Sequence, residues 1–203
     1  MHKEILDSNQ LKLLFVVRKF SNEFGLVGGT AIALHLGHRQ SVDFDLFTNT
    51  KFDNEKIREK IVSDGKIEKV LRDENEEYTV IVDGIKLTFF FYPFRLNFSE
   101  KFEKIIKLPD LLTLAAMKAY TLGRRAKWKD YVDLYFIMKS GYDISEINKK
   151  AKRIFAGEFN EKIFRSQLSY FEDIDYSEKI MYRQGFKTDD KIIKKELIKF
   201  SLA

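Results

Sequence analysis

The spacing of apolar residues changes once along this chain, near residue 110. Before that point, short apolar or alternating segments of strand length recur between turns, with helical spacing only at 8–22, 31–36 and 54–64. After it, every clear pattern is helical, as in 111–122 and 190–200. Strands followed by helices predict a sheet with flanking helices that continues into a helical region.

The strand candidates share short length, β-branched or aromatic residues and flanking turn residues. They are 24–27, 42–47, 67–71, 78–82 and 85–92. Asp83-Gly84 joins the last two and predicts a hairpin turn. The segment 171–189 has no clear pattern. We expect a core in residues 1–100 and a helical region in 101–203, with a soft boundary.

The composition excludes several classes of site. No cysteine is present, which excludes a disulfide framework, a thiolate nucleophile and a cysteine-based zinc site, and fits a reducing compartment. The first residues lack the apolar core of a signal peptide, and no apolar run reaches the length of a membrane span. We therefore expect a cytoplasmic protein without a membrane partner.

Charge is distributed unevenly along the chain. Residues 1–100 hold 14 Lys and Arg against 16 Asp and Glu, whereas residues 101–203 hold 22 against 15. An acidic half joined to a basic half suits a metal site that faces a polyanion. Lys-rich solvated helix faces are the alternative explanation.

Gly28-Gly29-Thr30 lies between a short buried strand and a short helix. A double glycine allows positive φ and a close approach of the backbone to a ligand. We expect Thr30 to cap the helix 31–36, whose N-terminal N–H groups can bind phosphate. Many α/β turns use glycine only to turn, so this motif alone leaves both interpretations open.

Asp43 and Asp45 alternate with apolar residues in the strand 42–47. With Val42, Phe44 and Leu46 on one face, both carboxylates project from the other. Paired carboxylates are hard oxygen ligands that suit Mg²⁺ or Mn²⁺. An acidic solvated strand face is the alternative, although adjacent like charges repel there.

A Gly-Gly turn followed by Asp-x-Asp resembles the signature of DNA polymerase β-like nucleotidyltransferases. The string LVGGTAIALHLGHRQSVDFDLF is similar to the AbiEii/AbiGii toxin branch, which includes the MenT toxins. IKLTFFFYPF, LLTLAAMKAYTLGRRAKWKDYVDLYFIM and, more weakly, SYFEDIDYSEKI resemble later blocks of the same branch. The resemblance implies an α/β (α+β) fold: a polymerase β-like core with a mixed, mainly antiparallel sheet flanked by helices, and a C-terminal helical region.

The resemblance also implies roles for residues of the first half. The turn of Gly28, Gly29 and Thr30 matches the nucleotide-binding turn, and Ser41 matches a Ser or Thr that precedes the metal-binding pair. Asp43 and Asp45 match that pair and are the expected metal ligands.

In the second half, the resemblance implies that Lys118 contacts the phosphates of the nucleotide. It also implies that Asp133 is a further acidic residue of the catalytic site. Thr88 is a departure, because many members of the superfamily place a third carboxylate near this position as the general base. The base is therefore unassigned, and an inactive nucleotide- or RNA-binding module is one alternative function.

Around Lys118 and Asp133 the sequence leaves simpler explanations open. Lys118 is mid-helix, where an exposed lysine is common, and Lys129 and Asp133 are spaced for a surface ion pair. A cationic loop separates the two helices and is an expected RNA contact, or else a solvated turn. Its basic residues are Arg124, Arg125, Lys127 and Lys129.

The sequence thus predicts a nucleotidyltransferase that uses Mg²⁺ or Mn²⁺ and transfers a nucleoside monophosphate from an NTP to a hydroxyl group. By resemblance, the acceptor is RNA, such as a tRNA 3′ end, and the protein is the toxin of a toxin–antitoxin pair with a cognate antitoxin as partner. The alternative acceptors are a small molecule such as an antibiotic, or a protein hydroxyl.

Overall fold

A computed structural model describes all residues from Met1 to Ala203. The chain forms two compact units. The sheet unit consists of Met1–His35 and Gln40–Asp110, and the helical unit consists of Leu36–Arg39 and Leu111–Ala203. The sequence predicted a core in residues 1–100 and a helical region in residues 101–203. This division stays a prediction.

Three helices and seven strands belong to the sheet unit. In chain order they are α1 (Ser8–Arg18), β1 (Gly25–Val27), α2 (Gly28–Leu36), β2 (Phe44–Thr48), α3 (Asn54–Val62), β3 (Ile67–Glu74), β4 (Glu77–Val82), β5 (Ile85–Phe91), β6 (Glu100–Phe102) and β7 (Ile106–Leu108). A 3₁₀ turn, Lys3–Ile5, precedes α1.

Five of these strands form one sheet in the order β1-β2-β5-β4-β3. Only β2 and β5 are parallel, and the other neighbours are antiparallel. The prediction of a mixed, mainly antiparallel sheet flanked by helices is therefore confirmed. Asp83 and Gly84 have positive φ, 48° and 79°, as the type I′ hairpin between β4 and β5 requires.

The two faces of the sheet differ in burial. Phe44, Leu46, Leu87 and Phe89 alternate along β2 and β5 and are fully buried on one face, where the Phe89 ring packs against Phe20 at a centroid distance of 4.7 Å. The intervening residues point to the opposite face and are half-buried. We call that opposite side, which carries Asp45, Phe47, Thr88 and Phe90, the carboxylate face.

Two local predictions were wrong, and one hairpin was missed. Helix α2 begins at Gly28 rather than after Thr30. Strand β2 begins at Phe44, so Val42 precedes it and is 46% exposed instead of lying on the buried face. The β6–β7 hairpin was not predicted, because two three-residue strands are too short to show a period.

The helical unit contains five helices. They are α4 (Leu111–Leu122), α5 (Trp128–Lys139), α6 (Ile144–Phe155), α7 (Glu161–Ser169) and α8 (Asp190–Leu202). Helix α4 packs against α5, α6 and α7, and α8 packs against α5 and α7.

The segment between α7 and α8 is largely irregular but is bonded to the rest of the helical unit. The Trp128 N–H donates to the Asp175 carbonyl at 3.0 Å, and the Arg183 N–H donates to the His38 carbonyl at 3.0 Å. Across the whole structure, no helix combines the length and apolar character that a membrane crossing requires.

Candidate active site

The glycine turn lies directly against the second aspartate. Gly28 has a φ of +71°, which L side chains rarely adopt, and a Cβ atom at this position would lie 2.2 Å from Oδ2 of Asp45. Only glycine therefore allows the Asp45 carboxylate to approach the start of α2. Because the first N–H groups of a helix lack intrahelical partners, this turn places an anion-binding helix end beside a carboxylate.

Thr30 holds the first aspartate in place through the backbone. Its buried hydroxyl donates to the carbonyl oxygen of Asp43 and hydrogen-bonds the Ser41 hydroxyl at 2.9 Å. The Gln10 side chain supports the same segment by donating to the Ser41 carbonyl at 2.7 Å. Thr30 and Ser41 thus connect α2 to the segment before β2, rather than capping the helix as predicted for Thr30.

A cation already lies beside Asp43. Lys86, on β5, places its Nζ 2.7 Å from Oδ2 of Asp43, and both side chains are partly exposed. The sequence did not reveal this partner, because residues 43 and 86 meet only when β2 and β5 pair in parallel. The alternation of polar and apolar residues in Lys86-Leu87-Thr88 is the local signal of a polar face on β5.

Thr88 occupies the position next to the carboxylates. In the parallel register of β2 and β5, Asp45 pairs with Thr88, which is where a third carboxylate would complete the site. No group of three or more His, Asp or Glu side chains in the structure is placed to hold a metal ion. The sequence predicted the pair Asp43 and Asp45 as metal ligands, and this role stays a prediction.

This pair fits a divalent cation in its chemistry. Carboxylate oxygens are the ligands that Mg²⁺ and Mn²⁺ prefer, and Mg²⁺ is commonly bound by one or two carboxylates together with substrate phosphates. The Lys86 ammonium group places one positive charge beside Asp43.

The other two predicted catalytic residues, Lys118 and Asp133, form one buried ionic cluster in the helical unit. Lys118 is only 6% exposed, and its Nζ contacts Asp130 and lies 3.1 Å from Oδ2 of Asp133. Asp133 is fully buried and also accepts two hydrogen bonds from the Arg39 guanidinium group, at 2.7 and 2.9 Å. The alternative explanation of Lys118 as an exposed surface lysine is therefore wrong.

The cluster continues on both sides of Asp133. His38 Nε2 donates to Oδ1 of Asp133 at 2.9 Å, and Arg125 Nε donates to Oδ2 of Asp130 at 3.0 Å. The sequence did not predict His38 and Arg39 as partners of Asp133. Their partner lies more than 90 residues away, so no local pattern could reveal it.

Electrostatics keep this cluster charged. Burial alone would raise the pKa of Asp133, but the charges of Arg39 and Lys118 outweigh it and hold the pKa well below the usual Asp value. Burial alone would lower the pKa of Lys118, and the carboxylates of Asp130 and Asp133 reverse this and raise it. Burial lowers the pKa of His38, although the hydrogen bond to Asp133 opposes this shift. The lowered pKa favours the neutral ring.

The basic residues of the predicted RNA-binding loop also have acidic partners. Arg124 lies 3.5 Å from Glu158, and Lys127 and Lys129 both contact Glu178. The alternative of a surface pair between Lys129 and Asp133 is therefore wrong, because Asp133 is buried within the ionic cluster. The role of Arg124, Arg125, Lys127 and Lys129 in RNA binding stays a prediction.

The structure thus brings the predicted residues together in two groups. The sheet unit holds Gly28, Gly29, Thr30, Ser41, Asp43 and Asp45 around the start of α2 and β2. The helical unit joins Lys118 to Asp133. The nucleotide contact predicted for Lys118 and the catalytic role predicted for Asp133 stay predictions.

Known proteins share this architecture. The nucleotidyltransferase toxin MenT4 of Mycobacterium tuberculosis aligns with 95% of this chain and 80% of its own, at a TM-score of 0.65 and 14% identity. JHP933 of Helicobacter pylori aligns with 98% of this chain and 91% of its own, at a TM-score of 0.62 and 16% identity. At such low identity, these similarities show the fold.

Sequence relatives identify the family. An uncharacterised protein of Aquifex aeolicus is 35% identical over 159 residues, which cover 75% of each chain. The model of the family described as nucleotidyl transferase AbiEii toxin, Type IV toxin–antitoxin system, matches residues 12–196, nearly the whole chain. This protein therefore belongs to the AbiEii family of nucleotidyltransferase toxins.

Proposed function

We propose that this nucleotidyltransferase transfers a nucleoside monophosphate from an NTP to a hydroxyl group at the end of an RNA, such as a tRNA 3′ end, with the help of Mg²⁺ or Mn²⁺. Membership of a toxin–antitoxin family implies a nucleotide substrate and a cognate antitoxin protein. The observation that carries the proposal is the contact of the Gly28 turn with Asp45, because it joins a phosphate-binding helix end to a carboxylate.

Each part of the site has a defined task in this reaction. The N–H groups at the start of α2 bind phosphate oxygens of the NTP, and Asp43 and Asp45 hold the cation. Thr30 fixes the Asp43 backbone, so the first carboxylate is positioned before substrate binds. When bound, the cation neutralises charge that develops on the phosphates and aligns the attack.

The chemistry itself exchanges one phosphorus–oxygen bond for another. The acceptor hydroxyl oxygen bonds to the α-phosphorus, the bond from the α-phosphorus to the bridging oxygen breaks, and pyrophosphate leaves. The hydroxyl proton passes to solvent. The Thr88 hydroxyl, at the position of the usual third carboxylate, is too weakly basic at neutral pH to serve as the general base.

Two features of the sheet unit support RNA over a small cationic acceptor. A cationic antibiotic would require a closed acidic pocket, whereas a lysine-lined cavity of about 760 Å³ is present at the far end of β2. The Lys86 ammonium group beside Asp43 adds positive charge at the site, which favours an anionic acceptor strand.

The proposal is tested by incubating the full-length protein with each labelled NTP in turn, Mg²⁺ or EDTA, and total RNA. We expect one or a few NTPs to label RNA, only with the metal, and Asp43→Asn and Asp45→Asn to abolish labelling. Asp173→Asn, the same change at an exposed position of the helical unit, is the matched control. Label that enters only small molecules or protein would replace RNA as the acceptor.

A further inference from the structure

Aromatic side chains continue the carboxylate face beyond the two aspartates. Phe47 lies two residues after Asp45 on β2, and Phe90 lies two residues after Thr88 on β5. The two phenylalanines pair in the β2–β5 register, with 5.1 Å between their ring centroids. Tyr92 lies 5.2 Å from Phe47. All three rings are half-buried, so each leaves part of its surface open to a ligand.

Phe94 extends this group of rings, and Phe98 lies beyond it. Phe94 lies 5.3 Å from Tyr92 by ring centroid, and Phe98 packs on the backbone of β1. A Cβ atom on Gly25, which pairs with Phe47, would lie 2.1 Å from the Phe98 ring. This close packing holds the Phe98 ring in place, where it lines the neighbouring cavity. We call Phe47, Phe90, Tyr92 and Phe94 the aromatic row.

The aromatic row borders the lysine-lined cavity. A small cleft lined by Phe47, Tyr92 and Phe94 shares wall residues with the cavity of about 760 Å³. The shared wall residues are Thr48, Asn49, Leu96 and Phe98. The aromatic row therefore starts at Phe47, two residues beyond Asp45, and borders the cavity through this shared wall within the sheet unit.

Three lysines of the cavity are available for an anion. Glu23 contacts Lys60, and the Asp53 side chain accepts the Glu55 N–H at the start of α3, so both acids of the cavity have local partners. The remaining lysines are exposed and have no ion pair in the structure. They are Lys51, Lys56 and Lys107.

We infer that this surface binds the single-stranded end of the acceptor RNA. Aromatic rings that stack bases, next to cations that follow the phosphates, are the two components of single-strand recognition. The aromatic row would stack the bases nearest the reacting hydroxyl, and Lys51, Lys56 and Lys107 would contact phosphates farther along the strand. This inference rests on the proposed function, because it needs RNA as the acceptor.

A protein or membrane partner fits this surface less well. The surface leads to a carboxylate pair with phosphate-binding geometry, and its charge is positive where the strand would leave the site. The Arg124–Lys129 loop is also basic, but its cations contact Glu158, Asp130 and Glu178. Lys51, Lys56 and Lys107 have no such acidic partners within the structure.

The test measures binding of a fluorescent single-stranded RNA to the full-length protein at several salt concentrations. Lys51→Ala, Lys56→Ala and Lys107→Ala together should weaken binding and reduce the log–log salt slope by up to about 2, since each single-strand phosphate contact contributes about 0.7. The control variant, Lys139→Ala with Lys149→Ala and Lys162→Ala, removes the same charge from exposed helix positions and should retain the wild-type slope.

A second variant separates stacking from charge. Tyr92→Leu with Phe94→Leu keeps apolar volume but removes the rings, and should weaken RNA binding about fivefold or more with an unchanged salt slope. Thermal unfolding of each variant excludes misfolding as the cause. An RNA duplex of equal length should bind more weakly than the single strand.

The inference is overturned if the cavity variant retains the wild-type affinity and slope, if the control variant loses as much, or if the duplex binds as well. Failure of the proposed function has a different signature, in which the wild-type protein labels no RNA with any NTP. If RNA is labelled and the cavity variant shows an unchanged KM for RNA, the binding surface is wrong and the transfer reaction stands.

Discussion

A Cβ atom on Gly28 would lie 2.2 Å from Oδ2 of Asp45, so the turn and the carboxylate occupy adjoining space that no other residue type permits. The glycine is therefore required twice, for its φ of +71° and for this approach. The phosphate-binding turn and the carboxylate pair consequently form one structural unit, and changes to either should affect the other.

Gly28→Ala should abolish nucleotidyl transfer and weaken Mn²⁺ binding, because the added methyl group displaces the Asp45 carboxylate. Backbone strain alone should cost about 1–2 kcal/mol of stability. Gly84→Ala is the matched control, since Gly84 has a φ of +79° but no neighbouring atom within 4 Å of its Cβ position. Transfer assays and thermal unfolding of both variants separate the two effects. Equal activity losses would mean that strain, not the Asp45 contact, explains the glycine.

Lys86→Met should strengthen binding of Mn²⁺ to the apo protein, because the ammonium 2.7 Å from Asp43 competes with the cation. A partly exposed pair contributes up to about 1 kcal/mol, which corresponds to about fivefold in Kd. Titration of Mn²⁺ followed by electron paramagnetic resonance measures the change. Lys69→Met, at an exposed position on β3, should bind Mn²⁺ as the wild type does. An unchanged or weaker affinity in Lys86→Met would show that Lys86 does not compete.

Asp133→Asn should lower the free energy of unfolding by about 3–5 kcal/mol, because it leaves Arg39 and Lys118 buried without their full counter-charge. Urea unfolding measures this, with the exposed Glu172→Gln as the control. If Asp133→Asn retained wild-type stability and still lost transfer, Asp133 would act in the reaction rather than in holding the fold.

The pH dependence of stability should reveal the same cluster. The folded pKa values of Asp130 and Asp133 lie below the usual Asp value, despite the opposing effect of burial, because of Lys118, Arg125 and Arg39. Their stabilisation is therefore complete above the unfolded pKa of about 3.9 and decreases as the pH falls below it towards the folded values. Chemical unfolding between pH 6 and pH 2.5 should show this loss. Asp133→Asn should reduce its slope, and an identical slope would contradict the assignment.

Local patterns were sufficient wherever a structure depends on neighbours in sequence. The alternation around Asp45 predicted strand β2, Asp83-Gly84 predicted the hairpin turn, and the bounds of α4 were predicted as observed. The resemblance to the nucleotidyltransferase signature also implied that the glycine turn and the carboxylates belong to one site. The strands β6 and β7 were not predicted, because three residues are too few to establish a period.

Sequence alone thus determined the strand and helix patterns, the glycine turn and the two aspartates, since each is set by local sterics and side-chain period. Only tertiary structure decided which charges meet. Lys86 reaches Asp43 through the parallel pairing of β2 and β5, and Lys118 is buried because Asp130 and Asp133 compensate its charge. Such contacts depend on strand register and helix packing between distant segments, and neither is encoded in the spacing of nearby residues.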